Sequence, residues 1–351
     1  IELVERFHTG LEDFKSGNYN EARLRIEFLN PFFKELGWDV DNEKGYAEGY
    51  KEVVHEDSLK MGSSTKNPDY SFRVGGTRKF VVEAKKPSVR IKEEIDPAFQ
   101  LRSYAWTAGL PLSILTDFEE FSVYDCRIRP YKNDKASVAR IAYFTFNEYE
   151  KKWEEITGLF SPEAILKGSF DRYAKSDKGK KGTSEVDTEF LKEIEGWREK
   201  LAKNIAQRNP TISGGSELGV EELNHSVQIL IDRIIFLRIA EAREVEEYKS
   251  LLTASEKSNV YENLNKLFSK ANDKYNSGLF DTKDWIAKLK IDDEILKSII
   301  TGLYYPECPY EFSVLPIEIL GSIYEKFLGK TIHLTPKTVR VDEKPEVRKA
   351  G

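Results

Sequence analysis

The chain has 351 residues, 40% of them apolar and 32% charged, with a formal net charge of −6. That length suits one large or two ordinary domains, and no apolar run is long enough to cross a bilayer. The acidic balance excludes a protein that coats nucleic acid through bulk positive charge, but leaves room for DNA contact along a local basic strip.

The amino-terminal IELVERFHTG is amphipathic and lacks the basic-then-apolar layout of a secretory signal, so a cytoplasmic protein is expected. From Asn20 to Leu36 the residues Leu24, Phe28, Leu29, Phe32 and Leu36 recur at helical spacing and form one apolar stripe. At about 100° per residue Glu21 falls inside that stripe and Glu27 well away from it. A carboxylate on an inward face needs a partner, which is either Arg25 on the same face or a metal ion. A polar stretch follows to Lys66, with one short strand expected around Val53 and Val54.

The segment NPDYSFRVGGTRKFVVEAKKP then alternates apolar and polar residues on both sides of Gly75-Gly76-Thr77, which predicts two strands and a tight turn. On the second strand Phe80, Val82 and Ala84 face one way, Glu83 and Lys85 the other. Asp69 opens the first strand on its polar face, with thirteen residues between it and Glu83. Two carboxylates offer hard oxygen ligands suited to magnesium, and the neighbouring ammonium can orient an attacking water and stabilise charge at a phosphodiester. Two lone cysteines, Cys126 and Cys308, and four scattered histidines support neither zinc chemistry nor a Ser-His-Asp triad. A basic strip of Lys66, Arg73, Arg78, Lys79, Lys85, Lys86, Arg90, Lys92 and Arg102 surrounds the motif.

Asp96 and Pro97 predict the cap and first turn of a helix running to about Ala108, on which Gln100 and Tyr104 share a face. PLSILT and FSVYD predict two further strands around Asp117 to Glu120. The order is that of a compact α/β core with a mixed sheet, over residues 1–150. No Gly-rich phosphate loop occurs, which argues against a nucleotide-hydrolysing chain. Residues 151–188 are expected to be a linker region, centred on the charged KSDKGKKGTSEVD. Residues 189–351 are expected to be all α-helical, with one helix through Phe190, Ile194, Trp197 and Leu201 and a central one from Leu223 to Ala242. Asp232, Arg233, Arg238, Glu241 and Arg243 on that central helix predict internal ion pairs. The aromatic set Tyr310, Phe312, Tyr324 and Phe327 is expected to be packing.

Asp69, Glu83 and Lys85, followed by Gln100-Leu-Arg-Ser-Tyr104, resemble the PD-(D/E)xK nuclease superfamily in its variant with a Gln-x-x-x-Tyr helix. The stretches EARLRIEFLNPFFKELGWDV, LIDRIIFLRIAEAR and LPIEILGSIYEKFLGK are similar to the nuclease and connector regions of type IIG restriction-modification enzymes. That resemblance implies a restriction-endonuclease-like α/β domain followed by a helical connector, and a magnesium-dependent type II site-specific deoxyribonuclease acting on double-stranded DNA. By the same resemblance Asp69, Glu83 and the main-chain carbonyl of Ala84 hold Mg2+. Lys85 handles the nucleophilic water, Glu21 is the acidic residue of the first helix, and Gln100 and Tyr104 position the site or the DNA backbone. A tie between helix and sheet is the other reading of those last two. Double-strand cleavage implies a second copy recruited on DNA. S-adenosylmethionine and adenine-N6 methylation are expected only in a methyltransferase part absent from these residues, with EVRKAG ending at its threshold. The rival readings are the nuclease subunit of a motor-linked restriction system and a non-catalytic DNA-binding or interaction module that keeps the fold.

Overall fold

A computed structural model describes residues 1–55, 68–175, 185–211, 215–281, 284–316, 318–321, 325, 329–334 and 339–343. Lys66, the middle of the expected linker, Tyr324, Phe327 and the EVRKAG ending lie outside them. The chain divides into two compact units, Ile1–Ser184 with Pro309–Glu311, and Glu185–Cys308 with Phe312–Gly351.

The first unit is built on a six-stranded mixed sheet in chain order: β1 Val53–His55, β2 Tyr70–Val74, β3 Thr77–Ala84, β4 Leu112–Thr116, β5 Glu120–Asp125 and β6 Arg140–Thr145. All neighbours are antiparallel except β3 and β4, which run parallel. A parallel step needs a crossover, and α5, Ile95–Thr107, supplies it. The β2–β3 turn works because Gly75 and Gly76 both take positive φ, 58° and 78°, the requirement of a two-residue turn matched to strand twist. Opposite Phe72 and Arg73 the register shifts, so that Arg78 rather than Lys79 lies across from Arg73. This bulge turns Arg78 to the face away from Phe80.

One sheet face presents Tyr70, Phe72, Phe80, Val82, Ile114, Val123 and Phe144 to a largely aromatic core. Phe72 and Phe80 stack there with centroids 4.4 Å apart. The core is closed by α1 Glu2–Thr9, α2 Leu11–Lys15, α3 Glu21–Leu24 and α4 Asn30–Glu35, through Phe7, Phe14, Leu24, Phe32 and Phe33, and by Phe28 between α3 and α4. Between α3 and α4 the backbone is π-helical over Arg25–Leu29. The other face carries Val81 and Leu115 beneath α5, which packs against β3 and β4.

Two expectations for this unit need correction. The strand Arg140–Thr145 is additional to those the sequence predicts, because its turn signals are charged rather than Gly- or Pro-rich. Residues expected to begin the linker instead form α6 Tyr149–Phe160, α7 Pro162–Leu166 and α8 Ser169–Lys175. Their Ile156, Phe160, Ile165 and Phe170 join the same core, so apolar spacing outweighs the sparse strand signal there.

The second unit is mainly helical. Its long helices are α9 Val186–Arg208 and α10 Val220–Ala242, followed by α11 Ser250–Glu256, α12 Val260–Tyr275, α13 Asp284–Ala287 and α14 Asp293–Thr301. It is not all-α, because Lys330–Leu334 and Val339–Glu343 pair antiparallel as β7 and β8 and pack on α10 and α9 respectively. The buried charges of α10 also differ from the ion pairs expected of them. Arg238 Nε donates to the Leu303 carbonyl at 2.9 Å and its guanidinium lies over Tyr304 and Phe312. Arg233 Nε donates to the Leu279 carbonyl at 2.8 Å. Glu241 accepts from Ser250, the Leu251 amide and Tyr304. Main-chain carbonyls partner the two arginines, hydroxyls and a main-chain amide partner Glu241, and helical periodicity alone reveals none of them.

Candidate active site

The alternation read from the hairpin carries over into space. Tyr70 pairs with Val82 across the ribbon, which sets Asp69 level with Glu83. The Ala84 amide donates to Asp69 Oδ2 at 2.7 Å, tying the start of β2 to the end of β3. Lys85 N–H continues the parallel pairing by donating to the Thr116 carbonyl at 3.0 Å. Strand β3 is therefore held on both sides where its polar residues emerge.

Glu83 is 4% exposed, and its Oε1 lies 2.5 Å from Lys85 Nζ. Glu21, at the start of α3, comes to the same place from the aromatic-core side, with Oε2 3.9 Å from Lys85 Nζ. The inward-facing Arg25 forms an ion pair with Asp69 Oδ1 at 3.2 Å, and its charge also favours the ionised Glu21 carboxyl. Helical spacing signalled that Arg25 faces inward, but its partner lies 44 residues away along the chain, beyond any local pattern.

Three carboxylates thus crowd around two cations. Burial, then the charge of Asp69, pushes the Glu21 carboxyl up to about 7, against the pull of Lys85 and Arg25. Burial raises Glu83 to about 7 as well; Lys85 opposes this and Asp69 adds to it. Asp69 is raised by burial, with the Ala84 amide and Arg25 working the other way. Burial works against the Lys85 ammonium, but Glu83 and Glu21 outweigh it and leave its pKa raised. Such a set of mutually repelling hard-oxygen donors, Glu83 and Asp69 largely buried and Glu21 partly exposed, suits a divalent cation. Among the described residues, however, no three His, Cys, Asp or Glu side chains already form a metal cage. Glu83 and Asp69 are occupied by Lys85 and Arg25 instead.

Gln100 and Tyr104 lie one turn apart on α5, over the opposite sheet face from the aromatic core. Tyr104 is buried, and the Arg78 guanidinium sits 5.5 Å above its ring. That contact joins helix to sheet. The basic strip is also smaller than expected, because Arg102 is buried and its Nη1 donates to Asp134 at 2.8 Å. One buried carboxylate went unnoticed in the sequence: Asp117 follows β4, is fully buried, and accepts the Glu120 amide at 2.6 Å. Its turn chemistry was visible, but not its burial.

Residues 18–132, which include every candidate site residue, match the family described as type I restriction enzyme R protein N terminus. The chain is 38% identical over 348 residues to the Escherichia coli protein named type II restriction enzyme and methyltransferase RM.Eco57I. That alignment takes in 99% of this chain and 34% of the relative, so the chain spans about a third of the relative's length. No solved structure matches the chain.

Proposed function

This chain belongs to the restriction-modification enzymes, and from that premise we propose that its first unit is a magnesium-dependent DNA endonuclease of the PD-(D/E)xK, restriction-endonuclease-like kind. The observation that carries this reading is the meeting of Glu21, Asp69, Glu83 and Lys85 at one end of the β2–β3 ribbon. The type I family match also suits the rival, a nuclease subunit of a motor-linked system. Identity to the fused enzyme extends over 99% of the chain, far beyond residues 18–132, and favours the fused kind.

In the proposed reaction a water oxygen bonds to phosphorus in line with the P–O3′ bond, which breaks to leave 5′-phosphate and 3′-hydroxyl ends. Asp69, Glu83 and the Ala84 carbonyl would hold Mg2+, which when bound would supply Lewis-acid stabilisation of the phosphoryl oxygens. Lys85, with its raised pKa, stays an ammonium near neutral pH and stabilises the developing negative charge. The proton of the attacking water passes to a carboxylate, for which Glu21, raised to about 7 and partly exposed, is placed, and the leaving oxygen takes its proton from solvent. Gln100 and Tyr104 position α5 behind the site, and Lys86, Arg90 and Lys92 carry DNA-backbone contact. One such site cuts one strand, so a second copy completes a double-strand break. S-adenosylmethionine chemistry is assigned to none of these residues and belongs to a longer cytoplasmic protein.

The test is nicking of supercoiled plasmid with and without Mg2+, comparing the wild type with Asp69→Ala and Lys85→Ala. Metal-dependent nicking lost in both variants is expected. Equal activity in all three proteins overturns the assignment.

A further inference from the structure

We propose that Arg25 is a positioning residue of this site, holding Asp69 in the orientation in which its carboxylate receives a divalent cation; this rests on the nuclease reading above. Its guanidinium grips residue 69 twice, with Nη1 3.2 Å from Oδ1 and Nη2 3.3 Å from the main-chain oxygen. The Ala84 amide holds the remaining carboxylate oxygen at 2.7 Å, so both oxygens have fixed donors. A lone counter-ion would need only the side-chain contact. The second contact, to the main chain of the same residue, fixes where the side chain starts as well as where it ends.

Arg25 is itself held. Its guanidinium lies 4.9 Å over the Tyr70 ring, and Tyr70 O–H donates to Asn30 Oδ1 at 2.7 Å. Nη2 also approaches His55 Nδ1 at 3.4 Å, while His55 Nε2 lies 3.1 Å from the Val40 carbonyl. With a proton on Nε2 and none on Nδ1, His55 satisfies both contacts, donating to the Val40 carbonyl and accepting from Arg25. Arg25 opens the π-helical segment Arg25–Leu29, and Asn30 follows it. Single π turns of this kind recur at functional sites, and this one lies between Glu21 and Asn30, both of which reach the hairpin side chains. The planar fork matters, because lysine cannot span two oxygens of one residue in this manner.

The experiment compares wild type, Arg25→Ala, Arg25→Lys and the surface control Arg23→Ala. Calcium binding to each whole chain is measured by titration calorimetry, alongside plasmid nicking across a Mg2+ series. We expect Arg25→Ala to weaken Ca2+ binding and raise the Mg2+ needed for half-maximal nicking by roughly 10- to 100-fold, the usual effect of losing a residue that orients a metal ligand. Arg25→Lys should recover only part of this, and Arg23→Ala should match the wild type. Unchanged or tighter Ca2+ binding in Arg25→Ala, with its circular dichroism intact, overturns the proposal, since a mere counter-charge would repel the cation. Asp69→Ala separates the two readings. Inactive Asp69→Ala beside wild-type-like Arg25→Ala removes only the role of Arg25, whereas active Asp69→Ala removes the site itself.

Discussion

Glu83, near the end of β3, and Lys85, just past it, lie two residues apart and form an ion pair of 2.5 Å, with side chains 5% and 20% exposed. The pairing is local, but the burial is not. Glu83 is covered by the rest of the unit and depends on one ammonium that solvent can still reach.

Lys85→Ala should therefore lower stability as well as activity. Removing one partner of a buried pair costs about 3 kcal/mol where the other stays charged. Glu83, already raised to about 7, takes up a proton more readily without Lys85, so the loss should be larger at about pH 8 than at about pH 6. Urea denaturation of the variant at the two pH values checks this. Lys85→Met should lose nicking to the same degree.

The cation-free protein should become less stable as pH rises. Glu21 and Glu83 both sit at about 7 when folded, above their ordinary value near 4.5, so the folded state binds more protons between those limits. Their contribution is fully present below about 4.5 and is lost as pH rises through 7. A falling melting temperature in EDTA from about pH 5.5 to 8, flattened by Ca2+ and by Glu21→Gln with Glu83→Gln, is the expected pattern. A rise over that interval would contradict it.

Gly76→Ala should destabilise the first unit by about 2 kcal/mol, because a Cβ there meets positive φ. It would also lie 2.9 Å from the Gly49 carbonyl. Gly75→Asn, at φ 58° with open space around it, should cost much less. Thermal denaturation of both variants makes the comparison.

In the second unit, Arg238→Ala should lose about 3 kcal/mol, since it removes a donor to the Leu303 carbonyl and a cation stacked on Tyr304 and Phe312. Arg238→Met should recover part of the packing but not the hydrogen bond. Denaturant midpoints of the two variants order them. Ca2+ binding at the Asp69 site should be unchanged in both.

The hairpin, its two-glycine turn, the faces of β3 and the inward aim of Glu21 were all legible in the sequence. Each is an arithmetic of spacing, with period two on a strand and 3.6 on a helix. The same arithmetic missed β6 and the packed helices of 149–175. Their flanks are charged, and their apolar residues only become a stripe once the sheet gives them something to face.

Local pattern by itself determined which residue types are present and which side of each element they occupy. Tertiary structure decided their partners. Arg25, four residues from Glu21, also holds Asp69, 44 residues away, and Arg238 holds a carbonyl where a carboxylate was expected. The physical reason is that a buried charge takes whichever acceptor the packing brings within about 3 Å, and sequence distance does not enter that choice.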